Sequence, residues 1–253
     1  MKTIKKKFKT ASLFNYFIIL LSLVFIATSC SKDDDEGGAA TIKFKATYDS
    51  AKMLSDTDAI VEGVVVESFK INIQEIEFEF NDEDPLFEND SIATDYELEG
   101  PFEIDLMQDG NALETTLVNN VDLPAAAYEE IEFEFTKSDN SISEMYDKSI
   151  LVKGTINDLP FIFWADEDFE LEIEFDEGIV LDQLEDILIV VSFDIASLFN
   201  PTTGVDVTGA VDGNGNGIIE IYPDDPDGNS DLSDLIWETL EDMIDAFEDS
   251  YDD

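Results

Sequence analysis

Histidine and arginine are missing from all 253 residues, and cysteine occurs once, as Cys30. Without imidazole the chain has no usual general base, no commonest zinc ligand and no triad built on histidine. One sulfur forms no disulfide within the chain, so stability must come from an ordinary core, with metal as the available aid. Positive charge is equally scarce: 13 basic residues, all lysine, face 61 acids, for a formal net charge of −48. Five of those lysines (Lys2, Lys5, Lys6, Lys7, Lys9) precede Cys30, so a chain starting at the cysteine carries −48 − 5 = −53. Such a body cannot neutralise a phosphate backbone, which excludes nucleic acid as a partner. The same repulsion disfavours contact between the domain and an anionic bilayer.

The position of the lone cysteine is informative. A basic start is followed by an apolar run from Leu13 to Ala27 and then by Ala27-Thr28-Ser29-Cys30. The run is too short and too interrupted to span a bilayer and reads as an export signal. The pattern resembles a bacterial lipobox, with Ala27 where the commonest form has leucine. The resemblance implies a diacylglycerol on Cys30 and cleavage just before it. One acyl chain anchors only marginally, whereas two give stable attachment. Ser31-Lys32-Asp33-Asp34-Asp35-Glu36 then resembles the lysine-then-acidic tether that directs such proteins to the outer face of the outer membrane; a plain solvated linker is the alternative. The expected organisation is a signal peptide at 1–29, an acidic tether at 30–40, a β domain at 41–211, and a loop and helix at 212–253.

From Thr41 onward, apolar residues alternate with polar ones, the mark of strands with one buried face. Expected strands are Ile42–Tyr48, Ala59–Glu67, Phe69–Phe80, Tyr96–Leu98, Phe102–Leu106, Glu130–Phe135, Ile150–Ile156, Phe161–Trp164, Phe169–Phe175 and Ile187–Ile195. Within Phe69–Phe80, Ile71 and Ile73 have one parity while Ile76, Phe78 and Phe80 have the other, so a β-bulge is expected at Gln74-Glu75. Turn chemistry at Gln108–Asn111, Asn157–Pro160 and Asn200–Gly204 separates the runs. Many short strands and few helical patterns predict an all-β, Greek-key-like antiparallel sandwich. About 210 residues after the tether suffice for one sizeable core.

Three strands repeat one composition: Glu75–Phe80, Glu130–Phe135 and Glu170–Phe175 each point apolar residues inward and a row of glutamates outward. Direct pairing would set like charges opposite each other, at a cost. They are therefore expected either to avoid one another or to lie under cations; an ordinary solvated outer face is the plain reading of such rows and a functional acidic patch the alternative. The chain closes on one amphipathic helix, about Asp231 to Glu248, with Leu232, Leu235, Ile236, Leu240, Met243, Ile244 and Phe247 on its apolar stripe and Trp237 at the margin. Its acidic C-terminal end is wrongly signed for the helix dipole.

Asp212-Gly213-Asn214-Gly215-Asn216-Gly217-Ile218-Ile219-Glu220 matches the opening of a calcium loop: oxygen ligands at alternate positions, glycine sixth, a backbone carbonyl from Ile218, and an acid ninth. Pro223 stands where the final bidentate glutamate belongs, so Asp224 is the expected replacement. The competing reading is a plain Asn-Gly turn between strands at Val205–Val211 and Ile218–Tyr222. Catalysis would have to rest on a carboxylate pair, but with 61 acids proximity carries little information. Trp164 and Trp237 could stack a sugar, yet both fit core packing.

Phe69–Phe78, Asp122–Ile131 and Phe193–Phe199 together are similar to a family of Bacteroidetes-type β-sandwich lipoproteins of unknown function. Here Ala126-Ala127 replaces the glycine that the family's turn carries before its tyrosine, here Tyr128. The resemblance implies an envelope-attached domain and lends no active-site residues. The reading is a non-enzymatic, lipid-anchored surface sandwich, stabilised by calcium, that binds an extracellular glycan or envelope protein. A purely structural envelope component and a carboxylate-based carbohydrate-active enzyme are the alternatives.

Overall fold

The computed structural model describes residues 39–47, 63–80, 95–124, 127–180, 187–200 and 204–248. The signal peptide, Cys30, nearly all of the tether, the first half of the expected Ala59–Glu67 strand, most of the Asn200–Gly204 turn and the last five residues lie outside them.

The alternating runs form strands, and two sheets pack face to face, an all-β sandwich. The smaller sheet has the order β10 (Ile187–Asp194), β1 (Ala39–Thr47), β5 (Glu114–Asp122). The larger is built on a long central strand, β2 (Val64–Phe80), which unites the expected Phe69–Phe80 strand with the end of the one before it. One edge of β2 pairs with β3 (Tyr96–Gln108), which turns through Asp109 and Gly110 into β4 (Asn111–Ala112). Both turn residues have positive φ, 51° and 74°, the geometry that suits a two-residue hairpin. The other edge of β2 forks. Its first half pairs with β7 (Ile150–Ile156), which leads to β8 (Leu159–Ala165) and then β11 (Ile219–Ile221). Its second half pairs with β6 (Ala127–Phe135), which leads to β9 (Phe169–Val180). Pairing is antiparallel except for β1–β10 and β8–β11, which are parallel.

The expected bulge is present, with a register shift between Ile73 and Glu75 that keeps Ile71, Ile73, Ile76 and Phe78 buried across the change of parity. Asn72 sits at the fork, fully buried. Its backbone N–H donates to the Ser149 carbonyl at the start of one branch, and its side-chain amide donates to the Thr136 carbonyl at the end of the other.

Aromatic rings join the layers. Phe44 of β1 meets Phe133 and Phe135 of β6 edge-on at 5.4 and 6.4 Å, and Phe135 stacks on Phe169 at 4.2 Å. Tyr128 is buried, and its hydroxyl donates to the Pro124 carbonyl at 2.9 Å, closing the turn into β6. One short helical turn, α1 (Ile195–Leu198), precedes the C-terminal helix α2 (Ser230–Glu248). That helix docks through Ser233, Ile236, Trp237 and Leu240; Trp237 is inside the stripe and Leu235, expected there, is 47% exposed. No helix among the described residues is long and apolar enough to cross a membrane.

Two expectations need correction. Glu114–Asp122 forms a strand where none was read. Val205–Val211 is not a strand: Val205 and Val207 are buried, but the Ala210 N–H donates to the Val207 carbonyl and the Thr208 N–H to the Asp206 carboxylate, so turns hold it.

Candidate functional site

The three glutamate-rich strands are immediate neighbours, which removes the first of the two expected alternatives, that they avoid one another. Across β2 and β6 the register opposes Glu75 to Glu134, Glu77 to Glu132 and Glu79 to Glu130. Across β6 and β9 it opposes Glu130 to Glu174, Glu132 to Glu172 and Glu134 to Glu170. On the far side of β2, Glu99 and Glu97 stand opposite Glu75 and Glu77. The result is a ladder of carboxylates across four strands of one outer face. Packing explains it: each strand must turn its isoleucines, leucine and phenylalanines toward the smaller sheet, and strict alternation then puts every glutamate outside.

Two groups of three carboxylates have oxygens mutually within 4.8 Å: Glu77, Glu79 and Glu132, and Glu130, Glu132 and Glu172. Burial, joined by repulsion from neighbouring glutamates, pushes Glu130 and Glu132 up to about 7. Glu77 and Glu134 are raised by the same two causes. A shallow cleft of about 270 Å³ opens at one end of the ladder, lined by Glu129, Glu130, Glu174 and Phe175. Chemically, such a face can hold cations or share protons near neutrality.

The second candidate is the loop after the small sheet's last strand. Asp212 Oδ1 accepts from the Gly215 and Asn216 N–H groups at 2.7 and 3.0 Å, and Oδ2 accepts from Gly217 at 2.8 Å. Gly217 has φ of 90°, which a side chain would strain. Asn214 and Asn216 both donate their side-chain amides to Glu220 Oε2, at 2.7 and 2.9 Å, and the Ile218 N–H donates to Asn216 Oδ1. The loop therefore brings Asp212, Asn214, Asn216 and Glu220 together through hydrogen bonds among themselves, and Ile218 joins them through its N–H.

Asp224 is not drawn in; it is exposed, with φ of 57°. Asp227 takes the inward place instead. It is buried, and its two oxygens accept from the Asn214 and Glu220 N–H groups at 2.9 and 2.8 Å. Gly213 lets this happen, since a Cβ there would collide with the Asp227 carbonyl oxygen. The sequence signal for Asp227 was its place in a second run of acids at alternate positions, Asp225 and Asp227.

The two tryptophans differ: Trp164 is half-buried on β8, whereas Trp237 is in the core. Trp164 stacks on Tyr222 at 4.8 Å with the Lys148 ammonium 5.7 Å from its ring centre. Trp237 is buried and meets Phe169 edge-on at 5.3 Å. Compared with protein-family models, with curated proteins and with solved structures, the chain matches none.

Proposed function

We propose that this is a non-enzymatic envelope domain, held on the outer membrane by a lipid on Cys30, whose glutamate face gathers calcium and through it an oxygen-rich extracellular ligand. The observation that carries the reading is the in-register opposition of Glu77, Glu79, Glu130, Glu132 and Glu172. Like charges paired across strands destabilise a sheet unless protons or cations intervene. Calcium takes six to eight oxygens, roughly twice what one three-carboxylate group gives singly, so positions stay open for water, a glycan hydroxyl or a partner's carboxylate. The leader and the lipobox-like Ala27–Cys30 support the anchor, and the millimolar calcium of extracellular space suits weak sites. The resemblance to Bacteroidetes-type surface lipoproteins points the same way. Trp237, buried against Phe169, is closed to a sugar, which argues against a hydrolase subsite built on it.

The Asp212 loop is the second calcium position, favoured by the alternate spacing of Asp212, Asn214, Asn216 and Glu220 in the sequence. Thermal melting of the leaderless domain separates the two. Glu132→Gln is expected to melt higher than the parent in chelator, because it removes repulsion, and to gain less from millimolar calcium. Asp212→Ala is expected to keep most of the gain. Equal gains in parent and Glu132→Gln would reject the cation face, and a gain lost only in Asp212→Ala would move the ion to the loop.

A further inference from the structure

We propose that the anchored domain lies with the outer face of its three-stranded sheet against the lipid headgroups and turns the glutamate ladder toward the cell exterior. This rests on the lipid anchor proposed above and adds an orientation to it. Cys30 and Ala39, where β1 begins, are nine residues apart in the sequence, a reach of at most about 30 Å. An acylated Cys30 therefore keeps the start of β1 within that distance of the bilayer and leaves the choice of face to the surfaces themselves.

Charge decides which side faces the lipid. The two outer faces are opposite sides of the sandwich, because Ile42 and Phe44 point inward and Phe44 meets Phe133 and Phe135, whose neighbouring glutamates point out on the far side. The far face is the carboxylate ladder. The near face is different in kind. Its rows across β10, β1 and β5 read Leu188 beside Thr41, then Val190, Lys43 and Thr116, then Ser192, Lys45 and Glu114. Leu188 is 60% and Val190 39% exposed, and Lys43 pairs with Glu114 at 2.8 Å. Two lysines thus stand against Glu114 in its centre and Asp122 and Asp194 at its rim, so this face is close to neutral where the ladder opposes glutamate to glutamate throughout.

The overall charge of the anchored chain, −48 − 5 = −53, hides this asymmetry. At physiological salt the Debye length is about 8 Å, and the sandwich places the two backbone layers about 10 Å apart. Ladder-down, the glutamates would meet anionic headgroups within one screening length; ladder-up, they lie beyond it. Lysines reach phosphate from the near face, and exposed Leu188 and Val190 suit the interface between headgroups and acyl chains.

The test uses the full-length lipidated protein on vesicles of phosphatidylethanolamine and phosphatidylglycerol. Acylation consumes the only native thiol, so Ser192→Cys, Thr116→Cys or Glu172→Cys each supply a unique one. A bulky polyethylene-glycol maleimide is expected to modify Ser192→Cys and Thr116→Cys several-fold more slowly on vesicles than in detergent, and Glu172→Cys equally fast in both. Adding Lys45→Glu should restore fast modification at Ser192→Cys. Vesicle-bound protein that reacts alike at all three sites overturns the orientation alone. Protein that fails to float with vesicles overturns the anchor, and the orientation with it.

Discussion

Asp227 and Asp224 lie three residues apart, and their different surroundings predict opposite consequences for the same truncation. Asp227 is 7% exposed and satisfies two backbone donors, on Asn214 and Glu220, that reach it from separate parts of the loop. Removing its carboxylate leaves partly buried N–H groups without partners, at about 1–3 kcal/mol for each donor left unsatisfied. Asp227→Ala is therefore expected to lower the denaturant midpoint by a readily measured amount and to loosen β11 from β8. Asp224→Ala, on an exposed side chain, should fall within roughly 0.5 kcal/mol of the parent. If chemical denaturation shows the reverse ranking, the loop is held by other groups than those named. The alternate acids were visible in the sequence, but which of them turns inward depends on the close approach of Gly213 to Asp227, a tertiary contact.

At the scale of elements, α2 is fixed by one large side chain. Trp237 contacts Phe169, which stacks on Phe135, which meets Phe44 of the opposite sheet. Trp237→Ala should cost about 3–5 kcal/mol, as a large ring removed from a packed site does, whereas Leu235→Ala on the exposed side should cost little. Urea unfolding of the two variants checks this, and equal losses would mean that the helix docks in another rotation. Periodicity located the helix and placed Leu232, Ile236 and Leu240 toward the core, yet put Leu235 inside and Trp237 at the margin, because the choice between these two flanks of the stripe depends on the sheet beneath. Strands with clean alternation, such as Ile150–Ile156 and Phe169–Phe175, were legible for the same reason that they fold. Glu114–Asp122 was not: only Val118 in it is buried, and its pairing with β1 rather than its own pattern makes it a strand. Val205–Val211 shows the converse, apolar alternation without strand pairing, since local hydrogen bonds claim its backbone. The glutamate rows were read correctly strand by strand, but their adjacency is a matter of strand order, which no local pattern encodes.

For the whole molecule, the ladder should make stability depend on pH in a direction that follows from Glu130 and Glu132. Their folded values of about 7 exceed the ordinary 4.5, so near neutrality the folded state binds protons that the unfolded chain has released. Stability from this source is complete below about pH 4.5 and is lost as pH rises through about 7. In chelator and low salt, the melting temperature should therefore fall between about pH 5 and about pH 8, and Glu130→Gln/Glu132→Gln should flatten the slope. Calcium and protons compete for the same oxygens, so millimolar calcium should raise the melt strongly at the upper pH and weakly at the lower. Salt distinguishes ligation from screening. In roughly 1 M NaCl the Debye length shrinks to about 3 Å, shorter than the roughly 4.5–5.5 Å between opposed side chains on paired strands, so diffuse repulsion is largely removed. A calcium increment that survives at that salt comes from coordinated ions. An increment that disappears, with NaCl alone giving the same melt, means that the carboxylates gather only a loose counter-ion atmosphere, and the extracellular ligand would then have to be held by something other than bridging calcium.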